Sequence, residues 1–324
     1  ARLRRLDEQA EIIMLERGEY ISFANCGLPY YIGGTIRDRS RLLVQTPEAM
    51  KTRFNIDVRI HSEVTRVDTE NKRITINSKE KGTYQESYDT LILSPGAKAI
   101  KPPIPGINSD RVFSLRNISD TDAIKAIVDK KGIRNAVVIG GGFIGVEMAE
   151  NLIERGLQVA LVEAAPHILP PFDSDMAVIA EKELVKNGVQ LTVGDGVKAF
   201  SDSENAIDVI LTSGKVLTAD FVMLAIGVTP DTAFLKDSGI ALGAKGHIVV
   251  NERMQTNVPD VYAVGDAIEE VNFITGGKTA VPLAGPANKQ GRIAADNISG
   301  HPAAYKGTQG TSILKVFSLT AAGT

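Results

Sequence analysis

The sequence predicts an α/β fold, and three observations support this. A glycine-rich loop in the middle of the chain lies between an apolar strand pattern and a helix pattern. The strand that closes this unit has a partial repeat near the N-terminus. The length of 324 residues also exceeds what one hydrophobic core usually supports. We therefore predict two Rossmann-like nucleotide-binding domains.

The composition is that of an ordinary globular protein, with 43% hydrophobic and 23% charged residues. A net charge of −3 gives no indication of nucleic acid or an anionic membrane surface as a partner. No apolar run reaches the roughly 18 residues that a membrane-spanning helix needs. The single cysteine excludes an internal disulfide framework, so we expect a cytoplasmic protein.

The central glycine loop carries the most specific motif. Residues 136–139 are an apolar run typical of a buried strand, and residues 140–145 (GGGFIG) satisfy the pattern G-x-G-x-x-G. Gly140 permits a tight turn, Gly142 lets the backbone approach a pyrophosphate, and Gly145 lets the following helix pack closely on the strand. The N–H groups at the start of that helix would face the phosphates.

The next strand pattern ends at an acidic residue, Glu163, which lies 23 residues after Gly140. Its carboxylate is suited to accept both hydroxyls of an adenosine ribose and would repel a 2′-phosphate, which favours NADH over NADPH. Ala164 and Ala165 leave room for a phosphate, so use of NADPH stays open. The residues expected to bind NAD are Gly140, Gly142, Phe143, Ile144, Gly145, Glu163 and Gly227.

The N-terminal repeat predicts a first dinucleotide-binding unit. Residues 11–17 resemble residues 158–164, and overlaying Glu16 on Glu163 shifts the numbering by 147. The matching glycine loop would then lie about seven residues before the first residue. We expect that residues 1–9 are the end of the first unit's helix and that the sequence is truncated at its N-terminus.

A third pattern lies near the C-terminus. Residues 256–267 form a short apolar strand that ends in Gly265 and Asp266, where glycine allows close approach of a ligand and aspartate can bond a polyol hydroxyl. Residues 281–292 then begin a helix whose N-terminus would face a cofactor ring.

Cys26 is the only cysteine, in the run SFANCGLPYY at residues 22–31. A dithiol enzyme of the Cys-x4-Cys kind would need a second cysteine where this chain has Tyr31. Redox chemistry at Cys26 must therefore use a flavin, a substrate sulfur or an oxygen atom held as sulfenic acid. Gly27 and Pro29 favour a helix start directly after the cysteine, where N–H groups would stabilise a thiolate.

These motifs together resemble the FAD-dependent pyridine nucleotide–disulfide oxidoreductases, and within them the single-cysteine branch. That branch comprises coenzyme A-disulfide reductases, NAD(P)H-dependent persulfide or polysulfide reductases, and NADH oxidases and peroxidases. Residues 22–34, 94–97, 140–145 and 263–266 carry the resemblance, which extends over essentially the whole chain.

The resemblance implies a glutathione reductase-like fold of two nested Rossmann-like nucleotide-binding domains, truncated at both ends. The FAD-binding domain would comprise residues 1–112 and 241–310, and the NAD(P)-binding domain residues 113–240. Residues 311–324 would begin a C-terminal dimerisation domain, so a homodimer is expected.

The resemblance also implies roles for individual residues. Glu16 would hold the FAD adenosine ribose, Asp266 the ribityl chain, and Val64 the adenine through its backbone. The further residues expected to bind FAD are Arg17, Ser94, Gly96, Ala97, Gly265, Leu283 and Ala284.

Cys26 would be the catalytic residue, lying against the flavin ring. Ser22 and Asn25 would bond the sulfur-bearing arm of the substrate. Arg2 and Arg5, three residues apart on one helical face, would pair with the phosphates of coenzyme A.

The expected activity is NAD(P)H-driven reduction of coenzyme A disulfide, persulfide or polysulfide through a mixed disulfide on Cys26. The alternative is an NADH oxidase or peroxidase that cycles Cys26 through sulfenic acid. A non-catalytic flavin redox sensor is a third possibility. No metal site is expected, because the four histidines have no ligand spacing.

Overall fold

The structure is a computed structural model, and it describes residues 1–323. Within this range the chain forms seven α-helices: α1 (Arg2–Leu6), α2 (Leu28–Gly33), α3 (Pro47–Phe54), α4 (Ile118–Val128), α5 (Phe143–Glu154), α6 (Ser174–Lys186) and α7 (Ala284–Ile298).

The same residues form 24 short β-strands: β1 (Ile13–Leu15), β2 (Ser22–Phe23), β3 (Leu43–Gln45), β4 (Asp57–Arg59), β5 (Ser62–Asp68), β6 (Arg73–Ser78), β7 (Gly82–Ser87), β8 (Leu91–Leu93), β9 (Ala97–Ala99), β10 (Val112–Phe113), β11 (Asn135–Ile139), β12 (Gln158–Glu163), β13 (Gln190–Val193), β14 (Val197–Asp202), β15 (Ile207–Leu211), β16 (Val216–Ala219), β17 (Phe221–Leu224), β18 (Val228–Pro230), β19 (Ile248–Val249), β20 (Val261–Ala263), β21 (Ile268–Val271), β22 (Lys278–Thr279), β23 (Ser312–Val316) and β24 (Leu319–Gly323).

The chain divides into two compact units, each built from separate stretches of sequence. The first unit comprises Ala1–Ser22, Val44–Lys98 and Thr229–Gly310, and the second comprises residues 23–43, 99–228 and those from 311 onward. Because both units mix helices with parallel strands, the predicted α/β class is confirmed. The assignment of residue ranges to FAD and NAD(P) domains stays a prediction.

The first unit is assembled from small sheets. β5, β6 and β7 form an antiparallel sheet, while β1 pairs with β4 and β20 pairs with β8 in parallel. A shared core of buried aliphatic side chains joins these sheets to α7 and includes Ile76, Ile248, Ala263 and Ala294. The predicted N-terminal strand and the predicted strand before the Gly-Asp pair are therefore present, as β1 and β20.

The second unit contains a five-stranded parallel sheet in the order β10-β17-β11-β12-β13. Four of the five residues of β11 are buried, all but Asn135, which is the pattern of a central strand covered on both faces. The loop from β11 to β12 contains α5, so the predicted strand, helix and second strand are confirmed in order.

Helices α2 and α5 of the second unit pack closely against each other. A β-carbon added at Gly33 would lie 2.1 Å from Asn151 Oδ1. Only glycine at position 33 allows this approach of the two helices.

The hairpin of β23 and β24 is also attached to α5 in the second unit. Lys315 of this hairpin pairs with the buried carboxylate of Glu150. The Phe317 N–H also donates to Glu150, at 2.9 Å.

Among the described residues, no helix combines the length and apolar character that crossing a bilayer requires. Within residues 1–323 there is also no group of three or more His, Cys, Asp and Glu side chains placed to hold a metal ion.

Candidate functional site

The glycine loop of the second unit is a turn that only glycine can make. Gly140 follows β11 directly and has φ = +103°, in the left-handed region. A β-carbon there would lie 2.4 Å from the Ala225 carbonyl oxygen, and one at Gly145 would lie 1.9 Å from the Gly140 carbonyl oxygen. The predicted packing roles of Gly140 and Gly145 therefore have a direct steric basis.

The start of α5 is open toward solvent. Gly142 is its N-cap residue, no side chain caps the helix, and a β-carbon at Gly142 would meet no atom within 4 Å. Phe143 and Ile144 are the first helical residues, and Phe143 packs edge to face against Phe172 with ring centroids 6.3 Å apart. Free N–H groups, a positive helix end and empty space together fit a pyrophosphate.

Glu163 ends β12 and faces the glycine loop. Its Oε2 accepts a hydrogen bond from the Gly141 N–H at 2.6 Å, and its Oε1 accepts one from the Ala165 N–H at 2.7 Å. Each oxygen keeps a second lone pair, so the carboxylate is oriented and still able to accept ribose hydroxyls. The contribution of Gly141 was not predicted, although Gly141 belongs to the run of three glycines.

Gly227 completes the NAD set at one edge of the sheet. It follows β17, the neighbour of β11, and has φ = +107° while its carbonyl accepts the Ile100 N–H at 3.1 Å. Because β11, β12 and β17 are parallel, their carboxyl ends and the attached loops meet at the same edge. The structure thus brings all seven predicted NAD residues together, and they fit a dinucleotide.

The first unit repeats the acidic part of this arrangement. Glu16 follows β1, and its Oε1 accepts the Gly18 N–H at 2.7 Å, as Glu163 does from the residue two positions after it. This local likeness supports the internal repeat. Val64, the predicted adenine contact, lies half-buried on β5.

The remaining predicted FAD residues converge at the ends of β8 and β20. These parallel strands are paired, and the Val264 N–H donates to the Leu93 carbonyl at 3.0 Å. Ser94 and Gly96 follow β8, Gly265 and Asp266 follow β20, and both glycines have positive φ, +69° and +81°. Ala97 is buried just beyond. Close backbone approach of a ligand is possible at this edge.

Leu283 and Ala284 join this group through α7. Leu283 is the N-cap of α7, no side chain caps the helix, and Ala284 is its first residue. The Gly265 N–H donates to Gln290 Oε1, on the same helix, at 2.8 Å. The strand ends, the glycines and the uncapped helix start fit the ring and ribityl chain of a flavin. Gln290 was not predicted, because glutamine in a helix has no motif of its own.

Arg17 has a protein partner in the structure. It forms an ion pair with Asp231 at 2.5 Å, and Lys98 approaches the same carboxylate at 3.4 Å. The Asp231 N–H donates to the Gly96 carbonyl, which links this cluster to the flavin edge. Arg17 keeps about half of its side chain exposed, so contact with a cofactor phosphate stays a prediction.

Cys26 is a free and exposed thiol. It lies in a single 3₁₀ turn, Asn25–Gly27, directly before α2, so the helix start predicted from Gly27 and Pro29 is confirmed. Asn25 is exposed beside it, whereas Gly27, Leu28 and Pro29 are buried and hold the turn in place.

The predicted substrate residues are divided between the two units. Arg2, Arg5 and Ser22 belong to the first unit, while Asn25 and Cys26 belong to the second. Arg2 Nε donates to Asp296 Oδ1 at 2.6 Å, and Arg5 is exposed on the same helix. Their binding to coenzyme A phosphates stays a prediction.

One acidic residue of α5, Glu147, has a strongly raised pKa and was not predicted from the sequence. Burial, followed by the neighbouring Glu150, raises the pKa of Glu147 to about 7. Burial and the charge of Glu147 in turn raise the pKa of Tyr30, on α2. Nothing in the local sequence distinguishes Glu147, which is half-buried on α5.

Comparison with known proteins gives a consistent result. The family model described as pyridine nucleotide-disulphide oxidoreductase matches residues 1–291. The coenzyme A disulfide reductase of Staphylococcus epidermidis is 36% identical over 324 residues, covering 99% of this chain and 72% of its own. An NADH oxidase of Methanocaldococcus jannaschii is also 36% identical, over 323 residues with the same coverage.

Solved structures extend the comparison. Reduced CoADR-RHD of Bacillus anthracis is 55% identical with a TM-score of 0.96, and an NAD-dependent persulfide reductase of A. fulgidus is 34% identical with a TM-score of 0.95. Both alignments cover 99% of this chain, but the chain spans only 58% and 60% of those two proteins. The water-forming NADH oxidase of Lactobacillus brevis, bound to NADH, is 30% identical with a TM-score of 0.94; the match covers 98% of this chain and 70% of the oxidase.

Proposed function

Since this chain belongs to the pyridine nucleotide-disulphide oxidoreductase family, we propose that it reduces coenzyme A disulfide, or a coenzyme A persulfide or polysulfide, through Cys26. Membership makes it an oxidoreductase that works with FAD and a nicotinamide nucleotide, as predicted. The observation that carries the finer proposal is that its only cysteine is exposed.

FAD, when bound, supplies the two-electron link between the nicotinamide and sulfur. The chain's own residues then have binding and orienting roles. The start of α5 holds the NADH pyrophosphate, and Glu163 accepts the ribose hydroxyls. Glu16 and Asp266 hold the ribose and ribityl hydroxyls of FAD. Because Glu163 would face a 2′-phosphate, NADH is the preferred donor.

Cys26 carries out the sulfur chemistry. Its thiolate attacks one sulfur of coenzyme A disulfide, forming Cys26–S–S–CoA and releasing one coenzyme A thiolate. Two electrons that originate from NADH then cleave the mixed disulfide, which restores the Cys26 thiolate and releases the second coenzyme A thiolate. The overall reaction consumes NADH, one proton and the disulfide, and gives NAD⁺ and two thiols. A persulfide substrate changes only the leaving sulfur.

Four residues are proposed to recognise the substrate. Ser22 and Asn25 bond the arm that bears the sulfur, and Arg2 and Arg5 pair with the phosphates. Arg5 is the better placed of the two arginines, because it is exposed while Arg2 already bonds Asp296. The names of the relatives from Staphylococcus epidermidis and A. fulgidus support this substrate class.

The direct test is to detect a covalent adduct between Cys26 and coenzyme A. The FAD-loaded protein is incubated with coenzyme A disulfide in the absence of NADH, and its intact mass is measured. We expect an increase equal to one coenzyme A moiety, located on Cys26 by peptide mapping and lost when NADH is added. The absence of an adduct, or an adduct that NADH does not remove, would contradict the proposal.

A second candidate function is an NADH oxidase or peroxidase, which the relatives named NADH oxidase support. The Cys26 thiolate would attack hydrogen peroxide, forming Cys26–SOH and hydroxide, and two electrons from NADH would return it to the thiolate. Brief exposure to peroxide followed by dimedone, which traps sulfenic acid, would label Cys26. Rapid aerobic loss of NADH without any coenzyme A adduct would favour this function.

We also propose that the protein acts as a cytoplasmic homodimer, on the strength of the family resemblance. Sedimentation velocity of the FAD-loaded protein would show one species of twice the chain mass. A flavin redox sensor is the remaining alternative, and it predicts slow turnover with every acceptor.

A further inference from the structure

We propose that Gln290 and Glu270 are positioning residues that hold the Gly265–Asp266 turn in the conformation that binds FAD. The proposal rests on the FAD site described above and adds two residues to it that no sequence motif marks. Both lie in the first unit, Glu270 four residues after Asp266 and Gln290 six residues after Ala284.

Gln290 holds the turn through a hydrogen bond to the Gly265 N–H. Gly265 opens a 3₁₀ turn, Gly265–Ala267, with φ = +81°, and its N–H donates to Gln290 Oε1 at 2.8 Å. Gln290 is only 1% exposed and Gly265 is half-buried, so this bond is largely shielded from water. A buried N–H that loses its partner is costly, and the backbone would move to find another acceptor.

Glu270 fixes which way round the Gln290 amide lies. Gln290 Nε2 donates to Glu270 Oε2 at 3.0 Å, and Glu270 is 6% exposed on β21. An ionised carboxylate only accepts hydrogen bonds, so it must face the NH₂ end of the amide. The amide oxygen is then turned toward Gly265, which needs an acceptor.

The carboxylate has further donors. Tyr305 and the Val281 N–H also bond Glu270. Burial, followed by Glu270, raises the pKa of Tyr305 to about 12, so its hydroxyl keeps its proton and donates. Burial raises the pKa of Glu270 itself, while its bonds to Tyr305, Val281 and Gln290 favour the ionised form.

The network also joins two parts of the flavin site. Gln290 lies on α7, which begins at Ala284 beside the N-cap residue Leu283. A β-carbon at Gly265 would lie 3.9 Å from the Ala287 β-carbon, so the turn rests on the first turns of this helix. One glutamine therefore sets the turn and the helix start relative to each other.

The test measures FAD retention, not turnover. FAD-loaded wild type and variants are diluted, and the released flavin is measured by its fluorescence to give Kd. We expect Gln290→Leu to raise Kd at least tenfold, because the Gly265 N–H loses its acceptor. Glu270→Gln is expected to raise Kd less, because the amide of Gln290 is then free to flip.

The decisive variant exchanges the two groups. In the double variant Glu270→Gln, Gln290→Glu the introduced carboxylate accepts from Gly265 and from the introduced amide, so the network is restored. We expect its Kd to return to within about threefold of wild type, with the resolved shoulder of the visible flavin spectrum restored. If Gln290 only filled space, Gln290→Glu alone would already retain FAD as well as the double variant does.

Gln255→Leu is the matched control. Gln255 is a half-buried glutamine of the same unit that bonds Tyr262 at 3.2 Å, away from the network, and its loss should leave Kd unchanged. If Gln290→Leu unfolds, the double variant still decides. Equal Kd for wild type and Gln290→Leu, or a double variant no better than the single ones, would overturn the inference. Wild type that binds no FAD would instead contradict the proposed function.

Discussion

The carboxylate of Glu163 has two roles, one in the structure of the glycine loop and one in recognition of the ribose. It orients the glycine loop by accepting two backbone N–H groups, and it presents a negative charge where an adenosine ribose would lie. We predict that Glu163→Ala raises KM for NADH by about tenfold, the equivalent of one or two lost hydrogen bonds, while KM for NADPH changes less because a repulsion is also removed. Steady-state kinetics with both donors measures the change in preference.

The control for this substitution is Glu154→Ala, which removes a partly exposed carboxylate on α5 and should leave both KM values unaltered. An unchanged ratio of the two KM values in Glu163→Ala would count against ribose recognition. At this scale, Glu163 and Gly145 were predictable because a motif fixes their spacing. Gln290 was not, because its partners Gly265 and Glu270 are 25 and 20 residues away and meet it only in the folded chain.

Gly142, the N-cap residue of α5, and Gly145, its third residue, have different physical roles, and substitution can separate these roles. Gly142→Ala adds a methyl group into open space at φ = −74°, so stability should be kept while KM for NADH rises about tenfold through contact with the pyrophosphate. Gly145→Ala would place its methyl group 1.9 Å from the Gly140 carbonyl oxygen and should lower Tm by several degrees. Thermal unfolding and NADH kinetics on both variants check the contrast. Loss of stability in Gly142→Ala, or none in Gly145→Ala, would contradict it.

Elements with a strong pattern were predictable, and contacts between elements were not. The order of β11, α5 and β12 follows from an apolar run, a glycine loop and a second apolar run. The close packing of α2 on α5 depends instead on Gly33 facing Asn151, two residues that are 118 positions apart. Local sequence cannot indicate which glycine serves such a contact.

At the scale of the whole molecule, the half-buried Glu147 should make stability depend on pH. Its pKa rises from an ordinary 4.5 to about 7 on folding, so the folded chain binds this proton more tightly between those pH values. The free energy of unfolding contributed by Glu147 therefore falls as pH rises through this interval, by at most about 3 kcal/mol. Glu147→Gln should be more stable than wild type near pH 8 and little different near pH 4.

Denaturant unfolding of both proteins across this pH range measures the effect, with Glu154→Gln on the same helix as the control. Parallel curves for wild type and Glu147→Gln would contradict the prediction. The repeat was visible in the sequence, and Glu16 after β1 and Glu163 at the end of β12 make matching backbone contacts in the two units. The partial burial of Glu147 was not visible in the sequence, because it arises from tertiary packing.

The central claim is that one cysteine carries electrons from NADH to a coenzyme A disulfide. The most direct measurement is anaerobic NADH consumption by the FAD-loaded protein with coenzyme A disulfide, compared with Cys26→Ser. We predict steady turnover in wild type and a loss of at least a hundredfold in Cys26→Ser, with NADH still reducing the flavin in both. Equal turnover in the two proteins, or no turnover in wild type until oxygen or peroxide is admitted, would contradict the claim.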